Sequence, residues 1–402
     1  MRPRILATVG SATLILAGFV GLSGSADAGS AADHHSLRYL HANYHSVRSC
    51  AATPTRGAAT CFARHLVPNA GVQPQATTAP AGLSPADIRS AYKLTTSSSG
   101  GRTVAIVDAY GYINAERDLS VNRSTFNLPP CTTASGCLTI RNQNGGTSLP
   151  RVDVGWSQEQ ALDLDAVSAA CPDCKILLVQ ASTASFANLG TAVNTAAATP
   201  GVVAISNSYG GGDAPDSTYG KYYNHPNIAV TASTGDNGYQ GGSYPASSGY
   251  VTAIGGTTLK TSSDARGWAE TVWSGSGSGC STSNKAPVGQ TYTMTHCSGR
   301  AMADVSAVAD PYTGLAVYAP TSRNSSSWAQ YGGTSLSSPL VASVYAMSGN
   351  TGGYANAIPY ANAGSLFDVT SGNNGSCTYW CGAASGWDGP TGLGTPNGTS
   401  AF

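Results

Sequence analysis

The chain has 402 residues, 41% of them hydrophobic and 10% charged, with 20 Lys and Arg against 20 Asp and Glu. That length allows one large domain or two medium ones around a substantial core. Zero net charge offers no basic surface for nucleic acid and no acidic block of the kind that stays unfolded.

Residues 1–28 open on a basic Met-Arg-Pro-Arg, continue as an apolar run over 5–22 and close on Ala26-Asp27-Ala28 before Gly29. This is the pattern of a secretory signal peptide, so the chain is predicted to be exported and extracellular. No later stretch is long and apolar enough to span a bilayer, and no membrane partner is expected. Residues 29–82 read as an irregular pro-segment ending in a Pro/Ala/Thr linker. Five of the seven histidines lie there: His34, His35, His41, His45 and His65. They are expected to be solvated or to belong to a piece that is cut away.

Residues 83–402 form the main domain. Short apolar, β-branched runs at 102–110, 175–181, 201–210, 227–238 and 250–256 are predicted strands. The stretches 157–171 and 185–198 are predicted helices, and a last helix follows the glycines at 332–333. This alternation predicts an α/β fold, a doubly wound, mainly parallel sheet with helices on both faces. In such sheets the ligand site lies beyond the carboxyl ends of the strands.

The ten cysteines fall into five local pairs: Cys50/Cys61, Cys131/Cys137, Cys171/Cys174, Cys280/Cys297 and Cys377/Cys381. In an oxidising compartment an even count reads as disulfides, and nearest-neighbour pairing is the simplest connectivity. Cys171-Pro-Asp-Cys174 follows a helix and precedes a strand, the reverse of the redox arrangement. No second ligand pair stands at zinc-site spacing.

"GGTSLSSPL" (332–340) places a serine, Ser335, where a turn enters a helix. As structure, Thr334 or Ser335 would cap the helix and Pro339 would sit in its first turn. As chemistry, a serine beside free helix N–H groups is well placed for attack on a carbonyl, because those groups stabilise the oxyanion. Subtilisin-like peptidases share this Gly-Thr-Ser-x-x-x-Pro arrangement, and Asp108 in "VAIVDAY" resembles their aspartate strand. No His-Gly-Thr follows it. Only His225 and His296 remain in this region, and neither has a turn-then-helix context. A carboxylate pair stands in the gap. Glu159 and Asp163 are four apart, about 40° round one helix face, whereas Asp165 is turned well away. Like charges at that spacing repel, and sharing a proton would relieve them and raise one pKa.

Serine with Glu-x-x-x-Asp resembles the sedolisins, serine-carboxyl peptidases of subtilisin-like fold in which glutamate replaces histidine. From about residue 84 the chain is similar to that family in order: "LSPADIRSAYKL", "EQALDLDAVSAACPDCKI", "AISNSYGG", "TASTGDNG", "YPASSGYVTAIGGTTL", "ADVSAVADPYTG", "GGTSLSSPL" and "GWDGPTGLGTPNG". The resemblance implies a monomeric, secreted endopeptidase made as a zymogen, acting on protein or peptide substrates. It makes Ser335 the nucleophile and Glu159 the general base, later the acid. Asp163 would hydrogen-bond Glu159, and Asp236 would contribute to the oxyanion hole. Ser208, Tyr209 and Gly210 would line the substrate cleft. One structural calcium ion is implied at Asp368 and Asp388, with carbonyls from Val369, Ala384 and Gly386. A protonated Asp236 beside a carboxylate base implies an acidic optimum, between about pH 3 and 5. Residues 29–82 are far shorter than the long folded pro-domain usual in the family. Two other readings remain: a Ser-His-Asp subtilase using Asp108 and His225, and a catalytically silent secreted binding protein of the same fold.

Overall fold

Strand residues such as Val104–Val107 and Ile176–Val179 are buried on both sides, which is why they read as unbroken apolar runs. The computed structural model describes Met1 and residues 37–51, 56–72, 80–350 and 352–402. Apart from Met1, the signal-peptide reading of residues 1–28 lies outside the described residues. So do His34, His35 and most of the linker.

In chain order the elements used below are α1 (Leu37–Asn43), β1 (Tyr44–Arg48), β2 (Thr60–Cys61), β3 (Arg64–Pro68), α2 (Pro85–Ala91), β4 (Thr103–Ala109), α3 (Ala115–Thr125), β5 (Leu138–Asn142), α4 (Val154–Ala170), β6 (Lys175–Ala181), α5 (Phe186–Ala197), β7 (Val202–Asn207), β8 (Tyr209–Gly212), β9 (Ala229–Ser233), β10 (Ser243–Tyr244), β11 (Thr252–Thr261), β12 (Trp268–Val272), β13 (Val305–Val308), β14 (Leu315–Pro320), β15 (Ser326–Gly332) and α6 (Thr334–Ser348). The central sheet runs β12-β11-β9-β7-β4-β6-β5, with β13 beside β11. Every pairing in it is parallel except β11 with β12.

The period of two along β4 sorts the layers. Val104 and Ile106 join the core that contains α4 and α6. Ala105, Val107 and Ala109 join the core on the other face, with Phe186, Leu189 and Val193 of α5. Helices therefore cover both faces, and Asp108 is in phase with Val104 and Ile106, on the face of α4 and α6. The fold is the mainly parallel α/β class, with helices on both faces, expected from the alternation. Among the described residues no helix is long and apolar enough to cross a membrane.

All five nearest-neighbour cysteine pairs form disulfides: Cys50–Cys61, Cys131–Cys137, Cys171–Cys174, Cys280–Cys297 and Cys377–Cys381. Each closes a short local loop. Cys137 stands immediately before β5, so its bond to Cys131 fixes the chain as it enters the sheet. Cys297 joins Cys280 across the longest of the five intervals, 17 residues. Cys381 is buried, and its carbonyl accepts the Asn374 N–H at 2.9 Å, so a backbone bond supports the loop that it closes with Cys377.

Residues 37–68 read as irregular in the sequence, yet they carry α1 and three strands. β1 pairs with β3, and β3 pairs with β15 at Tyr331↔His65 and Gly332↔Arg64. β2 pairs antiparallel with β8, Cys61 opposite Tyr209 and Thr60 opposite Gly210. Strands of two to five residues are too short for a hydrophobic period. The partners of β2 and β3 on the main domain lie more than a hundred residues away, so local pattern holds no trace of them.

Candidate active site

α4 begins at Asp153, whose side chain accepts the Trp156 N–H at 3.0 Å. The helix is buried almost all round, so its two facing carboxylates have no water to turn to. Glu159 and Asp163 are both wholly buried, as is Asp108 at the end of β4. Asp165 turns the other way, to Asn122 Nδ2 and the Tyr318 N–H.

Ser335 stands at the start of α6, also wholly buried. Neither Thr334 nor Ser335 is the cap: Gly333 is, at φ +96°, a conformation that suits only glycine. Pro339 consequently falls in the second turn, not the first. Proline has no N–H to give the carbonyl four residues back, which is that of Ser335. The Ser208 hydroxyl lies 3.3 Å from that carbonyl, and the Ser335 hydroxyl donates to the Ser208 carbonyl at 3.1 Å. Ser208 Oγ also reaches Asp163 Oδ1 at 2.9 Å. The break between β7 and β8 thus lashes the serine to the carboxylate helix.

The strand expected over 227–238 ends at Ser233, and the loop beyond it carries Asp236. Asp236 Oδ1 accepts the Thr334 N–H at 2.8 Å and its hydroxyl at 3.0 Å. Asp236 Oδ2 is buried and has no donor among the described residues. A Cβ at Gly333 would strike the carbonyl oxygen of Phe62 and come within 2.8 Å of Asp236 Oδ2. A carbonyl oxygen and the free carboxyl oxygen therefore crowd one small patch.

Burial raises Glu159, Asp163 and Asp108 well above the ordinary carboxylate range, and the charge of Asp108 adds to it at Glu159 and Asp163. For Glu159 the Ser335 hydroxyl and the Ala63 N–H pull the other way, favouring its ionised form. Asp236 is pushed up to about 7 by burial, against the Thr334 N–H and the Arg64 charge. No direct hydrogen bond links Asp163 to Glu159. Asp163 Oδ1 is taken by Ser208, while Glu159 Oε1 and Asp163 Oδ2 have no hydrogen-bond partner among the described residues. Glu159, Asp163 and Asp108 hold their protons jointly rather than one by one.

Among the described residues no histidine joins them. His225 bonds Asn194 and the Tyr222 carbonyl beside α5, and His296 stacks on Tyr379. His65 stacks on Tyr331, where burial lowers its pKa to about 4. Tyr209 and Gly210 face β2 of the same chain. Cysteine chemistry is absent from the cluster too: every cysteine, Cys137, Cys297 and Cys381 included, is spent in a disulfide and none is a free thiol. Two features escape sequence reasoning. One is Asp108 as a third carboxyl of this cluster rather than the partner of a histidine. The other is Phe62 and Ala63 lying across the site. Only the in-phase position of Asp108 on its strand hinted at the first.

Farther along the chain, Asp368 Oδ2 accepts the Gly386 N–H. Asp388 Oδ1 accepts the Thr391 N–H, and Asp388 Oδ2 the Ala384 N–H. Val369 is buried next to Asp368 in sequence. Among the described residues no three His, Cys, Asp or Glu side chains gather as a metal cluster.

No protein-family model matches the chain. It is 30% identical to sedolisin of Pseudomonas sp. (strain 101) over 323 residues, 68% of this chain and 54% of that protein. It is 31% identical to kumamolisin of Bacillus sp. (strain MN-32) over 363 residues, 80% of this chain and 63% of that protein. The chain thus spans between half and two thirds of these relatives' own length. The structure of Pseudomonas sedolisin, a serine-carboxyl proteinase complexed with two molecules of pseudo-iodotyrostatin, superposes with a TM-score of 0.66 at 26% identity, covering 79% of this chain and 96% of that one. A psychrophilic protease, S41, shares the fold at a TM-score of 0.51 and 17% identity, covering 80% of this chain and 99% of that one.

Proposed function

The chain belongs to the sedolisin family, and on that premise we propose that it is a secreted, acid-active serine-carboxyl endopeptidase. The single observation that carries this reading is the convergence of Ser335, Glu159, Asp163 and Asp236 with no histidine among them. Ser335 attacks the carbonyl carbon of a peptide bond, and its proton passes to Glu159. Asp163 and Asp108 hold protons beside Glu159, so the cluster's negative charge rests on the carboxylate that takes the serine proton. Glu159 then gives that proton to the departing amine, and water cleaves the acyl-enzyme by the reverse relay. Asp236, protonated on Oδ2, donates to the oxyanion, because its Oδ1 is already held by Thr334. In acid a histidine would be protonated and unable to take the serine proton; Glu159 takes it in its ionised form, which the Ser335 hydroxyl and the Ala63 N–H favour against burial.

The reading is tested on an unfolded protein substrate at pH 4. Ser335→Ala and Glu159→Gln should each abolish cleavage, and His225→Ala should leave it nearly intact. Lost activity in a correctly folded His225→Ala alone would favour the subtilase reading, and a wild type that cuts nothing would favour the silent binding protein.

We further propose one structural calcium ion held by Asp368 and Asp388 with the carbonyls of Val369, Ala384 and Gly386. Two neighbouring carboxylates in a glycine-rich loop are a hard-oxygen donor set. The like charge of Asp368 bears on Asp388, and among the described residues no Lys or Arg is bonded to either. Its chemistry would be stabilisation only. Chelation should lower the melting temperature and Asp388→Ala should mimic it; identical melting curves with and without chelator would remove the metal. Monomeric action on peptide substrates completes the proposal.

A further inference from the structure

We propose that Ser208 positions the nucleophile, its hydroxyl turned to the Ser335 carbonyl by a proton that Asp163 carries on Oδ1. This rests on the peptidase reading above.

Ser208 Oγ has two oxygen neighbours and only one proton to give. Asp163 Oδ1 lies 2.9 Å away and the Ser335 carbonyl oxygen 3.3 Å. A carbonyl oxygen can only accept. If Ser208 gave its proton to Asp163, the Ser335 carbonyl would receive nothing from it. Both contacts are hydrogen bonds only when Asp163 supplies a proton of its own and Ser208 passes its hydroxyl proton on to the carbonyl. The second carboxyl oxygen points the same way. Asp163 Oδ2 is buried with no partner among the described residues, so a proton there would have no acceptor, whereas one on Oδ1 has Ser208 Oγ. The surroundings keep that proton in place. Asp163 is wholly buried, and the charged groups that bear on it are Asp108 of β4 and Glu159 one turn back on α4, both carboxyls. α6 has no charged side chain anywhere along Thr334–Ser348. Burial beside like charge favours the neutral acid. Were Asp163 ionised, the charge-assisted bond to its Oδ1 would claim the Ser208 proton instead.

The carbonyl served in this way needs a partner, because Pro339 brings it no N–H. Ser335 and Ser208 are joined twice: Ser335 Oγ donates to the Ser208 carbonyl at 3.1 Å, and Ser208 Oγ reaches the Ser335 carbonyl. The first bond has to break in turnover, since the Ser335 proton must leave for Glu159. The second uses no atom that reacts, so it holds the start of α6 while Ser335 attacks and is released. Ser208 is wholly buried, and its hydroxyl is turned into the protein rather than toward a substrate. Its effect on the rate goes through the backbone of Ser335.

The test is neutron diffraction from deuterium-exchanged crystals of the full chain at pH 4, with kinetics on a reporter peptide. A deuteron on Asp163 Oδ1 is expected, with the Ser208 deuteron aimed at the Ser335 carbonyl. A deuteron on Oδ2, an Asp163 bearing none, or a Ser208 deuteron aimed at Asp163 would overturn the inference. Ser208→Ala should lower kcat about tenfold, the scale of a slightly misplaced nucleophile, with KM little changed. An unaltered kcat, or a loss confined to KM as for a residue that holds substrate, would also overturn it. If Ser208→Ala loses stability along with kcat, the deuteron positions, read in the unmutated chain, decide alone. All these outcomes leave the peptidase reading standing. A wild-type chain that cuts no reporter would overturn that reading, whereas the deuteron positions are read without turnover.

Discussion

Asp236 is where one proton decides the chemistry. Its Oδ1 is fixed by Thr334, so only Oδ2 can face a substrate oxygen, and it can donate only while protonated. Burial places its pKa at about 7, so the donor is present below that pH and lost above it. Asp236→Asn keeps an N–H donor that does not titrate. It should cost about a hundredfold in kcat, the scale of a weakened oxyanion donor, and carry the remaining activity past neutral pH. A pH–rate profile checks this; an alkaline limb unmoved in the Asn variant would contradict it. Glu159 and Asp163 were legible because a four-residue helical spacing of like charges asks for a reason. The bond between Asp163 and Ser208 was not, since contacts between side chains 45 residues apart leave no mark on either local pattern.

At the scale of elements, the strands that were unbroken apolar runs were legible, and so were the two helices between them. The disulfides were legible for a related reason: Cys137, Cys297 and Cys381 each bond to the nearest cysteine before them, so a local count suffices. The start of α6 was misplaced by a residue or two because Gly333, not a hydroxyl side chain, caps it. Proline's position then mattered in a way no helix rule foresees: the carbonyl it leaves open is the one Ser208 occupies. The tie between β11 and β13 was equally hidden. Arg300 and Asp304 form a two-armed ion pair with both side chains fully buried, at 2.8 and 2.5 Å. Arg300 also donates to the Val251 carbonyl, and Asp304 accepts the Ala253 N–H, so the pair fixes the entrance of β11. A buried pair of this kind stabilises little relative to an apolar filling, yet breaking it leaves one charge uncompensated. Arg300→Met should therefore lose roughly 3–5 kcal/mol in denaturant unfolding. Adding Asp304→Asn should recover part of that loss, and a single variant as stable as wild type would refute the claim.

For the molecule as a whole, the site sets the pH at which the fold is strongest. Glu159, Asp163, Asp108, Asp165 and Asp236 all hold protons more tightly when folded, because burial disfavours their charge. A carboxyl raised in this way contributes stability that is complete below its unfolded pKa and is lost as pH rises through its folded pKa. For Asp236, raised from 3.8 to about 7, that window runs from about pH 4 to 7 and is worth about 4 kcal/mol at most. His65 acts in the opposite sense: its lowered pKa of about 4 means stability present above pH 6.5 and lost as pH falls toward 4. With it stand His225, lowered by burial, and Asp173, whose hydrogen bonds to Ser98 and Ser99 outweigh its partial burial; against them stand seven raised carboxyls, these five with Asp310 and Asp388. The balance favours acid. Ser335→Ala, which cannot digest itself, should melt at a higher temperature at pH 4.5 than at pH 7.5. In that background Asp163→Asn should flatten the difference, since an amide buries without a proton to lose. A melting temperature that climbs from pH 4.5 to 7.5 would mean that the carboxyls are ionised in the folded chain, and the proton-sharing site would fall with it.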